Sequence, residues 1–436
     1  MITEKIKESL EHVISEAKVR IDLDSAQNPA LRKAIHIVEI FLREKARVCY
    51  GGQAINAQLP AADQFYNPEL SLPDYDFFTP DSKSDTETLI NEFKAAGYTE
   101  ISKRIGIHEG TTKIYVNFTA IADITQMVPE FYGNILKKSR VVGGIHYADP
   151  IFLRMMMYLE LSRPRGEVQR WNKVYERLVL FDKAHTLKRC SQRDTKMSLV
   201  KSKAALAARP AMVRYMIKNR RAFMGADIHV LYRSGMKSAA SRVRFLLQGQ
   251  AHSFVAPIVF LSPDAEIDAD MLVEQTHAKK ISIQGYQGIL PAMVALYHDE
   301  DLVGLIVQEE ACHSIVTLPL TKHRQLRVAS LETVLTFLIG LYYREDSLLM
   351  AQESILCWLK EYIDLSDRYK TKPTKLIPAF SIECSGYQTT FASLLRAKGA
   401  RIEAARQKIS SGRRMANITQ RLRSNKRNTK RKNRYI

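Results

Sequence analysis

The stretch "LSLPDYDFFTP", Leu70–Pro80, sets two carboxylates, Asp74 and Asp76, one residue apart in an otherwise largely apolar segment. Short, aromatic and bounded by proline, "PDYDFF" reads as a β-strand. On a strand, residues i and i+2 share a face. Asp74 and Asp76 therefore project together, while Tyr75 and Phe77 turn the other way into a core. Two carboxylates on one face repel each other unless a cation lies between them, and hard oxygen donors of this kind suit Mg2+ or Mn2+. A solvent-facing strand edge is the plainer reading, and the pair alone does not exclude it.

Two features outside this stretch favour the metal. The first is Asp123 in "TAIADITQ", another isolated carboxylate in an apolar, β-branched run, Lys113–Val128, that reads as one long strand or two. On a strand beside the first, it would complete a triad able to hold two cations roughly 3.5–4 Å apart, the arrangement used in phosphoryl transfer. The second is "YGGQAIN", Tyr50–Asn56, a Gly51–Gly52 pair just before a short helix. Glycine lets the backbone approach a ligand closely, and amide N–H groups there can face an anion. Ahead of it, Asn28 and Pro29 cap a helix whose Leu31, Ile35, Val38 and Leu42 follow a helical period.

The layout Gly51-Gly52, Asp74-x-Asp76, then Asp123 resembles the catalytic core of the DNA polymerase β-like nucleotidyltransferases. "YGGQAIN", "LPDYDFF" and "GIHYADPIFLRMMMYLELSRPRGEVQRWNKVYERL" resemble more narrowly the poly(A) polymerase catalytic subunit of nucleocytoplasmic large DNA viruses, over about Arg47 to Phe181. One departure is the 21 residues between Gly52 and Asp74, about twice the usual spacing of the superfamily. The resemblance implies an α+β fold and a template-independent enzyme adding AMP from ATP to RNA 3′ ends with two Mg2+ or Mn2+ ions. Asp74 and Asp76 would bridge the ions, Asp123 would complete the one that activates the 3′-hydroxyl, and Gly51 and Gly52 would hold the triphosphate. Lys137 and Lys138, in the basic "KKSR", are further triphosphate candidates beside the plainer reading of an exposed loop. The same triad also fits CCA addition, uridylation or a cyclic oligonucleotide product. A non-catalytic RNA-binding subunit is the rival from another class.

The chain carries a faint echo of this core. "SGMKSAASRVRFL" resembles the glycine segment with its helix, and "APIVFLSP" resembles "PDYDFFTP"; Gly52 to Asp74 and Gly235 to Pro257 are both 22 residues. Pro257 and Val259 then stand where Asp74 and Asp76 stand, so the second copy is expected to be a degenerate nucleotidyltransferase-like domain that holds no metal. "IHVLYRS", "SFVAPIVFLS" and "SIVTLPL" read as its strands. The expected organisation is an N-terminal helical segment (1–27), a catalytic domain (28–185), basic linking helices (186–224), the degenerate domain (225–395) and a basic, disordered tail (396–436).

A net charge of +19 from 65 Lys and Arg against 46 Asp and Glu points to a polyanionic partner. Candidate RNA contacts are Arg220, Arg221, Arg233, Lys237, Arg242 and Arg244, with Arg413, Arg414, Lys430, Arg431 and Lys432 in the tail. A solvated helix face is the plainer reading for the first group, and a nuclear-import signal an alternative for "KRNTKRK". A homodimer or a separate processivity subunit is the further partner considered. Five scattered cysteines without a C-x-x-C favour a reducing compartment. No apolar run reaches about 18 residues, the floor for a membrane span. The expectation is a soluble protein with no membrane partner; the resemblance to the viral family implies work in the host cytoplasm where viral factories form, with the virion as a further station.

Overall fold

The computed structural model describes residues 4–107, 110–188, 190, 202–225, 228–234, 256–286, 289–344, 348–390 and 392–411. The chain opens with α1 (Glu4–Gln27), which buries only Ala26. The next helix, α2 (Pro29–Lys45), starts where its cap predicts: the Asn28 side chain accepts from the N–H groups of Ala30 and Leu31. Such a cap contributes about 1 kcal/mol. There follow β1 (Val48–Tyr50), α3 (Gly51–Asn56), β2 (Tyr75–Thr79), α4 (Ser82–Ala95), β3 (Ile101–Ile105), β4 (Thr111–Val116), β5 (Thr119–Gln126), α5 (Pro129–Lys138), β6 (Arg140–Val142), β7 (Ile145–Tyr147), α6 (Pro150–Leu161) and α7 (Trp171–Ala184). The run Lys113–Val128 thus forms two strands. Asn117 and Phe118, both at positive φ, turn it into a hairpin.

These strands form one sheet in the order β3-β4-β5-β2-β1-β7-β6. The pairs β2–β5 and β1–β7 are parallel, and the other pairs antiparallel. One face packs on α2, where Phe77 meets Phe41, and the other on α6, where Phe78 meets Phe152.

A second series follows: α8 (Lys203–Lys218), β8 (Ala222–Phe223), α9 (Ile228–Ser234), β9 (Ile258–Ser262), α10 (Ala265–Thr276), β10 (Lys279–Ile283), β11 (Met293–His298), β12 (Asp301–Gln308), β13 (His313–Pro319), β14 (Gln325–Ala329), α11 (Leu331–Tyr342), α12 (Gln352–Thr371), β15 (Cys384–Ser385) and α13 (residues 392–411). Its sheet runs β10-β11-β12-β9-β8-β14-β13-β15. Apart from β15, this is the first order over again, strand for strand. The parallel pairs are again the corresponding two, β9–β12 and β8–β14. Even the bulge recurs, between Ile114 and Tyr115 on β4 and between Leu296 and Tyr297 on β11.

The joints repeat as well. Arg47 grips the buried Asp85 through two hydrogen bonds of 2.6 and 3.0 Å, and Arg221 grips the buried Asp268 at 2.6 and 2.8 Å. Asp81 caps α4 and Asp264 caps α10. The side chain of Gln126 ties Pro80 to Ser82, and that of Gln308 ties Pro263 to Ala265. The two units share a continuous core, with α6 against α11 and the Tyr343 hydroxyl donating to Asp149.

Several expectations change here. "IHVLYRS" is helical, not a strand; Ile228, Leu231 and Tyr232 lie at helical spacing and are all buried. In the segment expected to link the units, α8 packs on β9 and β12 as part of the second. "SGMKSAASRVRFL" begins at the end of α9 and otherwise lies outside the described residues. The glycine that follows the second unit's first strand, as Gly51 follows β1, is Gly225 and not Gly235. Helix α13 carries ordered structure to residue 411, into the segment expected to be disordered; the rest of the tail lies outside the described residues. The cysteines are not all unpaired. Cys190–Cys357 and Cys312–Cys384 form disulfides with Cα separations of 5.5 and 5.3 Å, leaving Cys49 free and buried. Partners 167 and 72 residues apart leave no trace in local spacing. The reducing compartment thereby loses its argument from scattered cysteines.

Candidate active site

The strand register brings the sequence-predicted acids together. Asp76 on β2 lies directly beside Asp123 on β5, with Tyr50 of β1 on its other side. Asp74 stands exposed two residues ahead of Asp76, and Asp123 is buried. Gly51 has φ +76, and a Cβ there would overlap the carboxylate of Asp76. A residue with a side chain fits neither the conformation nor the space. The glycine loop and the D-x-D strand are thus in contact.

Burial raises the Asp76 carboxyl to about 7, and the charges of Asp74 and Asp123 push in the same direction; Lys113 and Arg170 offset this only in part. Asp123 keeps Oδ1 buried without a hydrogen-bond partner. Its other oxygen pairs with the ammonium of Lys113, the residue beside it on β4. For that ammonium, burial works against the charge, but the hydrogen bond to Asp123 and the field of all three acids raise its pKa overall. Among the described residues, no three His, Cys, Asp or Glu side chains stand close enough to hold an ion as they are placed. With Lys113 on one oxygen of Asp123, the triad shares a face without converging. The donor set still fits divalent cations: all oxygens, crowded like charges, and one buried oxygen with nothing to accept.

The geometry also brings in residues that sequence reasoning missed. Asn56 accepts from the N–H groups of Phe65 and Tyr66, folding the long insert back onto α3. Tyr66 then meets Arg177 of α7, which donates to its hydroxyl at 2.8 Å and lies 4.2 Å over the ring of Phe65. Both Tyr66 and Arg177 press on Gly52, where a Cβ would come within 2.8 and 3.0 Å of them. Arg170 lies near Asp76 and pairs with Glu160 at 3.1 Å. Lys113 and Arg170 are cations beside the acids, and Arg177 is a cation beside the glycine loop. Their only sequence signal was a basic residue in a strand or helix near the motif, which many residues share.

Other candidates point elsewhere. Lys138 lies over the ring of Tyr342, at the seam with the second unit. Lys137 shares the last turn of α5 with it. Arg221 pairs with Asp268 and is the counterpart of Arg47. Arg220 and Arg233 are exposed. Lys237, Arg242, Arg244, Arg413, Arg414, Lys430, Arg431 and Lys432 lie outside the described residues.

With the glycine loop, the D-x-D strand and the third acid in register, comparison with known proteins becomes informative. Residues 36–167 match the sequence model of the family described as "Poly(A) polymerase catalytic subunit". That span contains the glycine pair and all three acids. The chain is 29% identical over 180 residues to a "Putative poly(A) polymerase catalytic subunit" of Acanthamoeba polyphaga mimivirus, covering 40% of this chain and 30% of the relative. It is 24% identical over 163 residues to a protein of the same description from African swine fever virus (strain Badajoz 1971 Vero-adapted), covering 36% and 34%. The matched parts thus span about a third of the curated relatives. The fold is shared much further. The crystal structure of the Megavirus polyadenylate synthase superposes with a TM-score of 0.75 at 15% identity, over 94% of this chain and 84% of that one. The resemblance to this viral family and the two-unit α+β fold therefore stand together. Among the described residues, no helix is long and apolar enough to cross a membrane.

Proposed function

We propose that the chain is a template-independent poly(A) polymerase, a polynucleotide adenylyltransferase that adds AMP from ATP to RNA 3′ ends. The observation that carries this reading is the pairing of Asp76 with Asp123 in a face closed on one side by Gly51. Asp74, Asp76 and Asp123 would hold two divalent cations, Mg2+ or Mn2+, which when bound make the 3′-hydroxyl a better nucleophile and offset charge on the departing diphosphate. Asp123 can offer its unpartnered Oδ1 to a cation while Lys113 stays on the other oxygen, and Lys113 would add positive charge beside a bound phosphate. The backbone N–H groups of the Gly51–Gly52 loop approach the triphosphate where any side chain would obstruct it. Arg177, braced by Phe65 and Tyr66, is placed to pair with the same phosphates. A virus-encoded enzyme of this kind would act in the host cytoplasm.

The test is extension of a labelled RNA primer with each nucleoside triphosphate separately, in Mg2+ or Mn2+. Long products from ATP alone are expected, reduced roughly a thousandfold or more in Asp74→Ala/Asp76→Ala. Extension with another nucleotide would keep the mechanism and change the product. A folded protein that binds the primer and extends it with none would leave RNA binding as the function.

A further inference from the structure

The acids belong to a longer row. Reading across the sheet from β1, directly opposed residues are Tyr50, Asp76, Asp123, Lys113 and Arg104. Opposed residues on neighbouring strands share a face, so this is a polar band running from the glycine loop to the edge strand β3. Its outer half is cationic. Arg104 lies 4.5 Å over the ring of Tyr115, which follows Lys113 on the same face. The edge strand is exposed from Ser102 to Ile105. Phe118, at the tip of the β4–β5 hairpin, is 80% exposed although it is a large apolar ring. That tip lies beyond the level of Asp74, on the open side of the acids, because β2 and β5 run parallel with Asp76 beside Asp123.

The second unit serves as an internal control. Its equivalent row, read from the same register, is Val259, Leu305, Ala295 and Ile281. The acids have gone, and so have both cations, although strand order and bulge are kept. Lys113 would go with Asp123, its ion-pair partner, but an arginine needed only to stack on the sheet's tyrosine would have no reason to disappear with the carboxylates. Tyr115, by contrast, has a tyrosine counterpart, Tyr297.

We propose that Arg104, stacked on Tyr115, together with Phe118 at the hairpin tip, forms the track that leads a single-stranded RNA to the acids. This rests on the function proposed above and names a binding surface for its primer. Arg104 lies two strand spacings, about 10 Å, from Asp123, so it meets the backbone upstream of the 3′ end and not the reacting phosphate. Its flat guanidinium suits phosphate recognition and stacking alike. Phe118 offers an exposed ring on which a base can stack without regard to sequence.

The experiment measures binding of a short fluorescein-labelled oligoadenylate by anisotropy in EDTA, at several salt concentrations, for wild type and three variants. Arg104→Gln should weaken binding several-fold and lower the salt slope by about one. Phe118→Ser should weaken it by about fivefold or more with the slope unchanged. Lys103→Gln, one residue along β3 and facing the other way, should bind as wild type does. ATP binding by equilibrium dialysis should be the same in all four proteins. If wild type binds RNA and both Arg104→Gln and Phe118→Ser match it, the track is overturned while the proposed function stands. If wild type neither binds RNA nor extends it, the proposed function fails first. Should Arg104→Gln not fold, Phe118→Ser, at an exposed position, decides alone.

Discussion

The two halves of this protein answer the same folding problem with the same parts and differ where chemistry is concentrated. Seven strands recur in one order and one set of directions, with the same bulge on corresponding strands. The Arg–Asp grip, the Asp caps and the glutamine ties recur with them. In the first unit, the middle of the sheet is a band of acids and bases; in the second it is Val259, Leu305 and Ala295, all buried. Charges that crowd each other in a half-buried face weaken the fold, since Asp76 is held far from its ordinary ionisation without a cation. The first unit bears this electrostatic strain, and the second has apolar packing in its place.

The grip should be the strongest common element. Removing one partner of a buried ion pair leaves an uncompensated charge and costs about 3–5 kcal/mol. Asp85→Ala and Asp268→Ala are each expected to lose stability in that range in urea unfolding, one through Arg47 and the other through Arg221. Similar losses from both would sharpen the likeness. A large loss from one and almost none from the other would show that the second frame is held by different forces.

Acid separates the units next. In the first, α5 lies between β5 and β6; in the second, only residues 309–312 join β12 to β13. A small cavity beside this short connection is lined by Leu261, Val307, Arg163, Glu310 and His313. Burial, assisted by the charge of Arg163, pushes the His313 imidazole down to about 3. A histidine with a lowered folded pKa favours the native state while it is neutral in both states. That contribution is complete above its unfolded value near 6.5 and is lost as pH falls toward 3, because the unfolded chain then binds the extra proton. The loss approaches a few kcal/mol at most. His313→Gln should flatten the fall in stability between about pH 6 and pH 4, followed by urea midpoints at each pH. An unchanged profile would mean that this cavity does not set the acid limit of the second unit.

What the sequence made legible follows the range of the interactions. Asp74 and Asp76 are two residues apart, so their shared face follows from strand geometry alone. Asp123 declared itself as a lone acid in an apolar run. Lys113 and Arg104 did not, because their place in the row depends on where the hairpin turns at Asn117–Phe118 and on the register of β3, neither visible in a local window. The second copy shows in "APIVFLSP", but equal spacing points to Gly235 where the structure has Gly225, because the connections to the next strand differ in length. A better signal was present: "TPDSKSD" and "SPDAEID" share Pro, the capping Asp and the buried Asp at identical intervals, which marks Asp81 with Asp264 and Asp85 with Asp268. The cysteine pairs depend on tertiary proximity and had no local signal at all.

The smallest expected difference tests the loop itself. Gly51 and Gly225 occupy the same place after the first strand of each unit, but they are held for different reasons. Gly51 sits at positive φ against Asp76. Alanine there incurs about 1–2 kcal/mol of backbone strain and forces the Asp76 carboxylate aside. Gly225 has no positive φ, and its added Cβ would meet the edge of the Phe223 ring at 3.0 Å, a contact that a small ring shift relieves. Gly51→Ala should therefore lower the melting temperature by about 1–2 °C and weaken Mn2+ binding, followed by titration calorimetry. Gly225→Ala should leave Mn2+ binding unchanged and stability within about 1 kcal/mol of wild type. Equal effects on metal binding would mean that the loop acts through the shared frame, and the contrast between a working and an emptied face would have to be drawn elsewhere.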